Sequence, residues 1–267
     1  MVDQANDDKP EKLTLSQTCA LIVGGTAGIG FASARRLLDE GVPAMVIAGR
    51  NRERGETAAK ALRDQSKAQI AYVQCDASRP DEVSALADAC VEHMGGVDFL
   101  LSCGGGDPMP RLLKDVALDQ LLPIINAVQA PILLPARAML EGMAARGGGS
   151  IVCFASDAGK LATPGETAIG AAMASIIMFC RAMANEAKRD GVRVNCVTPS
   201  IVRSTPLYDK LMADPFCSRL FGKAEKLAAL GVVEPDDLAD LVCFLAGPQS
   251  ARITGQTISV TGGISAI

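Results

Sequence analysis

The first residues that could do chemistry are three glycines near the start of the chain, Gly24, Gly28 and Gly30. They follow the apolar run 19–23 and lead into a helix-like segment that begins at Phe31. Glycine at these places permits a tight strand-to-helix turn, a close approach of the backbone to a pyrophosphate, and close packing of helix on strand. The free N–H groups of the helix N-terminus would face the anion. The segment predicts a dinucleotide-binding loop, and the alternative is a purely structural turn.

A second chemical signal follows the next apolar run, in the sequence Ala48-Gly49-Arg50-Asn51-Arg52. Sites selective for NAD usually place an acidic residue here to bind the ribose 2′-hydroxyl, and this stretch contains none. Arg50 could instead pair with the 2′-phosphate of NADP, supported by Arg52 or Arg54. The residues favour NADP(H) over NAD(H), and the alternative is a solvated arginine at the start of a helix.

The elements that would position these residues are visible as short apolar runs alternating with helix-like segments. The runs are rich in Val and Ile and predict buried strands at 19–23, 44–48, 70–74, 99–102, 150–155, 193–198 and 257–260. Helices are predicted at 29–40, 52–65, 81–93, 119–145, 170–189 and 235–245. This alternation predicts an α/β fold: a single doubly wound Rossmann-type domain with a seven-stranded parallel sheet and helices on both faces. We expect the domain to span residues 13–267, behind a mobile tail at 1–12.

The composition of the chain argues against several classes of partner and favours one cellular compartment. The net charge is −4, and no basic stripe is present, which argues against nucleic acid. No uncharged run reaches the roughly 20 residues that cross a bilayer as a helix, which argues against a membrane. The nine cysteines lack a C-x-x-C pair and are expected to be free, mostly buried thiols in a reducing cytoplasm. His93 is the only histidine, so no metal site is predicted.

The order of several landmarks resembles the short-chain dehydrogenase/reductase family over residues 15–265. After the glycine loop come Asp76 behind the third strand, Asp98 at the start of the fourth, and Asn126 in a long helix. The segment 149–152 then leads to Ser156, and later landmarks are Arg193-Val194-Asn195, Ile253-Thr254-Gly255-Gln256 and Gly262-Gly263. The resemblance implies hydride transfer between a nicotinamide cofactor and a small carbonyl compound or secondary alcohol, hydroxyacyl-CoA thioesters included.

The resemblance also assigns residues to the cofactor. It implies that Asp76 contacts the adenine, and that the nucleotide is lined by Thr26, Ile29, Ala77 and Gly104 together with the three glycines and Arg50.

The family's catalytic pattern is only partly present. In that family a tyrosine exchanges the proton, a lysine four residues later lowers the pKa of the tyrosine, and a serine orients the carbonyl. Ser156 matches the serine, but Ile169 and Met173 stand where the tyrosine and the lysine belong. Neither can exchange a proton. Ser156 and Asn126 are therefore remnants of the catalytic site, able to orient a carbonyl or a water, or else purely structural.

Further departures from the family pattern lie at the same site. The sequence Ser102-Cys103-Gly104-Gly105 replaces the usual Asn-Asn-Ala-Gly, and Ser200 replaces the glycine that usually follows Pro199.

Other residues could supply a proton instead. Glu166 is the main candidate acid, since burial could raise its pKa, and Tyr208 lies on the loop 199–221 that usually closes over substrate. The alternatives are that Glu166 is a solvated carboxylate and that Tyr208 only packs a lid helix. Cys103 has no histidine near it in sequence, which argues against a catalytic thiol. Further polar residues expected at the rim of the pocket are Asp157, Lys160, Thr163 and Thr167.

Partners are suggested by the segment 170–184, which is apolar nearly all round and must be covered on both sides if it is helical. The resemblance implies a homo- or hetero-oligomer formed through helices 119–145 and 170–189. The alternative is burial within the monomer alone.

Three functions remain open. The residues favour a catalytically degenerate subunit that assembles with an active dehydrogenase of the same family, with nucleotide binding retained or lost. The first alternative is an active NADPH-dependent reductase whose proton comes from Glu166, Tyr208, water or the substrate itself. The second is a regulator that senses the nucleotide.

Overall fold

The structure is a computed structural model that describes residues 14–267. The predicted tail at 1–12 lies outside the described residues. The strands are β1 (Cys19–Val23), β2 (Ala44–Gly49), β3 (Gln69–Gln74), β4 (Phe99–Ser102), β5 (Gly149–Phe154), β6 (Val192–Pro199) and β7 (Thr257–Val260). The helices are α1 (Gly28–Asp39), α2 (Arg52–Gln65), α3 (Pro80–Met94), α4 (Leu121–Ala145), α5 (Thr167–Ala187), α6 (Pro206–Ala213), α7 (Pro215–Glu225) and α8 (Pro235–Ala246).

All seven strands pair in parallel, in the spatial order β3-β2-β1-β4-β5-β6-β7. The predicted class, a doubly wound seven-stranded sheet, is confirmed. The order reverses between β1 and β4, which are neighbours in space although β2 and β3 lie between them in sequence. Ligands of such sheets bind in the crevice outside the carboxyl ends of the strands at this reversal. The glycine loop therefore lies at the place where a ligand is expected.

The core is divided by the sheet into two layers because successive side chains of a strand point to opposite faces. Leu21 of β1 packs with the layer that includes α4 and α5. Its neighbour Ile22 packs with the layer that includes α1 and α8. Both side chains are completely buried. Apolar residues on both faces are what a parallel strand covered by helices on both sides requires.

The prediction of a loop at 199–221 is wrong, because this segment contains helix α6 and most of helix α7. Each begins with a proline behind a capping side chain. The Thr205 hydroxyl accepts a hydrogen bond from the Tyr208 N–H, and the Asp214 carboxylate accepts from the N–H groups of Phe216 and Cys217. The sequence therefore carried a start signal for both helices. A smaller correction concerns α5, which begins at Thr167 instead of residue 170.

Two prolines lie inside α4, and each deprives the carbonyl four residues earlier of its helical partner. Groups at the end of β4 replace both partners. The N–H of Gly106 donates to Ala127 O, 3.0 Å away, and the hydroxyl of Ser102 donates to Pro131 O, 3.2 Å away. The segment 102–106 is thus fixed to α4 by hydrogen bonds at both of its ends.

Helices α4 and α5 are long and apolar. By length and composition alone each could cross a membrane. Here they pack on each other and on one face of the sheet, where Ile132 and Ile176 are buried in the core. Their other side is not covered: Leu122 is 67% exposed and Met178 is 60% exposed. An apolar surface on these two helices is therefore left open within the described monomer.

Candidate nucleotide and substrate site

The loop between β1 and α1 has a backbone that only glycine adopts easily. Gly24 and Gly28 have φ angles of +89° and +50°. A Cβ atom on Gly24 would lie 2.7 Å from the backbone nitrogen of Gly104, and one on Gly30 would overlap the carbonyl of Gly24. The loop and the end of β4 therefore touch backbone to backbone. Ala27, the residue before α1, has no side chain that could cap the helix, so the first N–H groups remain available to an anion.

Two arginines flank the crevice beyond this loop. The Arg50 guanidinium lies 3.5 Å from the carbonyl oxygen of Gly105, across the crevice from β2 to the end of β4. The Arg54 Nε donates to the Thr26 hydroxyl at 3.2 Å, which brings a second guanidinium to the glycine loop. The sequence predicts that Arg52 or Arg54 supports Arg50. Of these two, only Arg54 makes a described contact with the loop.

The acidic residue expected at the adenine lies at the end of β3. The Ser78 hydroxyl donates to Asp76 at 2.7 Å and lowers the pKa of Asp76, and the nearby charges of Arg50 and Arg79 act in the same direction. Asp76 is therefore ionised at neutral pH and able to accept a hydrogen bond from an amino group. Its neighbour Ala77 is buried.

These residues fit a dinucleotide. The positive-φ glycines leave a cradle that a side chain would fill, the uncapped helix offers N–H groups to a pyrophosphate, and two guanidinium groups lie close to the loop. Thr26 is buried under Arg54, and Ile29 lies half-buried in the first turn of α1. Gly104 closes the opposite side of the cradle.

Ser156 follows β5 and starts the 3-10 turn Asp157–Gly159. Its hydroxyl accepts a hydrogen bond from the Ala158 N–H at 3.2 Å and lies 3.3 Å from Asp157 Oδ1, to which it donates. The serine is thus held at the carboxyl end of the sheet by a local cap. The turn that it caps packs against α5, where Gly159 lies beside Met173 and the Ala158 carbonyl lies beside Gly170.

Those two places on α5 are aliphatic. Ile169 is only 9% exposed, and Met173, one turn later, packs against the core layer beneath α5. Beside Ile169 lies a small cavity with mainly apolar walls, lined among others by Met109, Val116 and Ile124. The site therefore offers apolar contacts where related enzymes offer a phenol and an ammonium group.

Two carboxyl groups, those of Asp157 and Glu166, lie close enough for the charge of one to act on the other. Asp157 is buried; its Oδ2 accepts from the Ser265 hydroxyl at 3.2 Å, and burial raises its pKa although the hydroxyls of Ser200, Ser265 and Ser156 oppose that rise. Burial, reinforced by the charge of Asp157, raises the pKa of Glu166 to about 7. Glu166 begins α5, three residues before Ile169. Within residues 14–267 its carboxyl group has no hydrogen-bond donor that would stabilise the charge.

The other candidates have different partners. The Tyr208 hydroxyl donates to Glu225 Oε1 at 3.0 Å, and the Lys160 ammonium donates to Ser259 Oγ at 2.8 Å and to the Thr257 carbonyl. The Cys103 thiol donates to the Val23 carbonyl, and burial raises its pKa to about 12. Asn126 accepts from the Gln129 amide on the exposed side of α4. Thr163 bonds to the Leu161 carbonyl, and Thr167 is exposed.

Sequence reasoning missed two groups of residues at the site. Ser265 reaches Asp157 from 108 positions away, and no local pattern indicates that contact. The lid formed by α6 and α7 is fastened by two ion pairs, Lys210 with Asp107 and Arg111 with Asp214, each at 2.8 Å. The charges of these residues were visible in the sequence, but their partners were not.

Comparison with known proteins gives consistent matches over nearly the whole chain. Residues 24–265 match the family model described as enoyl-(acyl carrier protein) reductase. The chain is 31% identical over 252 residues to a 3-oxoacyl-[acyl-carrier-protein] reductase, FabG, of Chlamydia muridarum, covering 94% of this chain and 98% of that protein. It is 29% identical to human dehydrogenase/reductase SDR family member 4, covering 98% of this chain and 92% of that one.

Among solved structures, the chain resembles an NADPH-bound short-chain oxidoreductase from Pseudomonas aeruginosa PAO1 that contains an atypical catalytic centre. The TM-score is 0.86 at 28% identity, with 95% of this chain and 99% of the other covered.

Proposed function

The chain belongs to the short-chain dehydrogenase/reductase family, and from that premise we propose that it is an NADP(H)-dependent reductase of small carbonyl-type compounds that works without the tyrosine–lysine pair. NADP(H), when bound, supplies or accepts a hydride. The family membership rests on the family model and the relatives, and the finer statements below are proposals.

The observation that carries the proposal is the combination of the glycine cradle with two carboxyl groups, that of Asp157 beside Ser156 and that of Glu166, on which the charge of Asp157 acts. Gly24, Gly28 and the uncapped α1 would hold the pyrophosphate, with Arg50 and Arg54 at the 2′-phosphate. The Pseudomonas relative, which is described as having an atypical catalytic centre, binds NADPH. An unusual centre is therefore compatible with cofactor binding in this family.

Within the reacting site, this chain's own residues would orient and bind the acceptor. Ser156 offers a hydroxyl, and Glu166 offers a carboxyl group whose pKa, about 7, allows both protonation states near neutral pH. Ile169 and the small cavity beside it would offer mainly apolar contacts to the acceptor. The chlamydial relative is named as a 3-oxoacyl reductase, which supports an acceptor of the carbonyl type.

The proposal is tested by following NADPH oxidation by the purified protein over a panel of ketones, 3-oxoacyl thioesters and imines. We expect turnover by the protein alone, retained in Ile169→Phe and lost in Gly28→Trp, whose side chain would fill the cradle. NADPH binding without any turnover by the protein alone would contradict the proposal.

A second candidate is a non-catalytic subunit that pairs with an active member of the family. The open apolar surface of α4 and α5, with Leu122 and Met178 exposed, favours an oligomer. This candidate predicts that activity appears only when a catalytically complete member of the family is added, and that the mixture forms a complex of larger molar mass in light scattering.

We place either activity in the cytoplasm, because all nine cysteines are free thiols. Cys19 is half-buried instead of buried as predicted, which does not alter that argument.

A further inference from the structure

The buried carboxyl group of Asp157 binds serine hydroxyls from separate parts of the chain. Asp157 is 8% exposed and follows Ser156, the serine that matches the family's catalytic pattern. The Ser156 hydroxyl lies 3.3 Å from Oδ1, and the Ser265 hydroxyl, 108 positions along the chain, lies 3.2 Å from Oδ2. The hydroxyl of Ser200, which follows β6, also acts on this carboxyl group. Asp157 therefore joins the candidate reacting serine to two segments that are distant in sequence.

The protonation state of Asp157 decides what the Ser156 hydroxyl can offer to an acceptor. A serine hydroxyl has one proton to donate and two lone pairs. The Ser156 oxygen already accepts from the Ala158 N–H at 3.2 Å. Beside a carboxylate, the one proton of Ser156 is directed to Asp157 and is not available to a carbonyl. Beside a protonated carboxyl group, Asp157 donates instead, and the Ser156 proton is free to point to the acceptor oxygen.

We propose that Asp157 supplies, through the Ser156 hydroxyl, the proton that the family's tyrosine gives to the carbonyl oxygen. This inference rests on the proposed reductase function and assigns the proton path of that reaction. Reduced NADPH is the two-electron donor: the carbonyl carbon gains a C–H bond, and the π electron pair of C=O moves to oxygen. That oxygen takes the Ser156 proton, Ser156 takes the Asp157 proton, and the Asp157 carboxylate regains a proton from solvent. Asp157 acts only through Ser156 and is therefore a positioning residue for its proton.

The charges near Asp157 support both of its states. Burial raises its pKa, which favours the protonated form from which the reaction starts. The Glu166 carboxyl group at the start of α5 also disfavours ionisation, because like charges repel. The Lys160 ammonium, later in the turn, attracts the carboxylate that the reaction leaves, although it is itself bound to Ser259 Oγ at 2.8 Å. The serine hydroxyls stabilise the same carboxylate.

Asp157 is better placed for this task than Glu166. Within residues 14–267, the Ser156 hydroxyl hydrogen-bonds to one carboxyl group, that of Asp157. Glu166 acts on Asp157 through its charge. Ile169 and Met173, which stand where the resemblance places the tyrosine and the lysine, have no proton to exchange. Ser156 is half-buried, so an acceptor can reach its hydroxyl.

The test compares the pH dependence of the reaction with the titration of the carboxyl group itself. The reaction is a single turnover of NADPH with the 3-oxoacyl thioester S-acetoacetyl-N-acetylcysteamine, followed from about pH 5 to about pH 9. The titration is measured in the cofactor-free protein, from the infrared band of the protonated carboxyl group that is lost in Asp157→Asn. Ser265→Ala removes one donor to the carboxylate, and Ser265→Thr, which keeps a hydroxyl, is its matched control.

In the wild type we expect the rate to fall as the pH rises through the pKa of Asp157, because the protonated form is the donor. Asp157→Asn should lower the rate at low pH by at least about a hundredfold and remove this pH dependence, with substrate affinity little changed. Ser265→Ala should move the midpoints of the rate and of the infrared band upward by about one pH unit, because the carboxylate loses a donor. Ser265→Thr should restore both midpoints.

The outcomes separate this inference from the proposed function. A pH dependence that is lost in Glu166→Gln and kept in Asp157→Asn would overturn the inference and leave the proposed function standing, with Glu166 as the acid. A rate midpoint that is the same in Ser265→Ala and Ser265→Thr would also overturn it, and this comparison still decides if Asp157→Asn does not fold. Absence of NADPH turnover by the wild type over the panel of acceptors would remove both the inference and the proposed function.

Discussion

The Ser102 hydroxyl donates to the carbonyl oxygen of Pro131, 3.2 Å away, at the point where Pro135 has removed the helical donor of that oxygen. Ser102 is completely buried at the end of β4, next to the cofactor cradle. The prolines of α4 and the unusual segment after β4 are therefore parts of one arrangement. A helix with an interior proline needs a donor from outside, and the strand end supplies it.

Replacing Ser102 by Ala is expected to lower the free energy of unfolding by about 1–3 kcal/mol, because a buried carbonyl loses a donor. Urea unfolding followed by circular dichroism measures this. Ser84→Ala is a suitable control, since the Ser84 hydroxyl also donates to a proline carbonyl, that of Pro80, but on an exposed helix surface. A loss no larger than in the control would show that Ser102 does not support α4.

Arg50→Ala is expected to weaken NADPH binding by about tenfold to a hundredfold, the range for a charge-assisted hydrogen bond to a phosphate. NADH lacks the 2′-phosphate, so its affinity should change little. Arg54→Ala should act in the same direction because Arg54 contacts the glycine loop through Thr26. Titration calorimetry measures the affinity of each variant for NADPH and for NADH. Equal losses for NADPH and NADH would mean that Arg50 does not recognise the 2′-phosphate.

Glu166→Gln is expected to change stability in a pH-dependent way. The pKa of Glu166 is about 7 in the folded protein against an ordinary value of 4.5, so the unfolded chain releases this proton at lower pH. Ionisation therefore costs folding free energy as the pH rises from about 4.5 to about 7. Near pH 8 the variant should be more stable by on the order of 2 kcal/mol, and near pH 4 the advantage should vanish.

Urea unfolding at several pH values tests this expectation, with Glu92→Gln as an exposed control. A stability difference that is constant from pH 4 to pH 8 would show that Glu166 is not held in its protonated form by burial.

Restoring the missing pair by Ile169→Tyr combined with Met173→Lys is expected to raise the turnover of neutral ketones by about a hundredfold or more, the usual contribution of a positioned acid. Each single replacement should give much less, because the lysine acts by lowering the pKa of the tyrosine. The measurement is kcat for NADPH oxidation in the four proteins. If the double variant binds NADPH but its kcat does not rise, residues 169 and 173 are not what limits the turnover of neutral ketones.

Much of the architecture was accessible from local patterns. The predicted ends of β1, β4, β7 and α2 agree with the structure. β1 and β4 are almost continuous apolar runs buried on both faces, and helix α2 begins after an asparagine cap. The lid was missed although its prolines and caps were present. Its helices are short, with 8 and 11 residues, and they lie in a segment that the family resemblance describes as a loop.

The sequence by itself determined the fold class and the glycine loop, since these depend on residue type and spacing alone, and it predicts that Ile169 and Met173 replace the family's tyrosine and lysine. The tertiary structure decided which ionisable groups remain free at the site. Tyr208, Lys160 and Arg111 are each engaged by partners that only the folded chain supplies. Glu166 is left without one beside Asp157. Burial and pairing set the charge of a side chain, and both depend on residues that meet from distant parts of the chain.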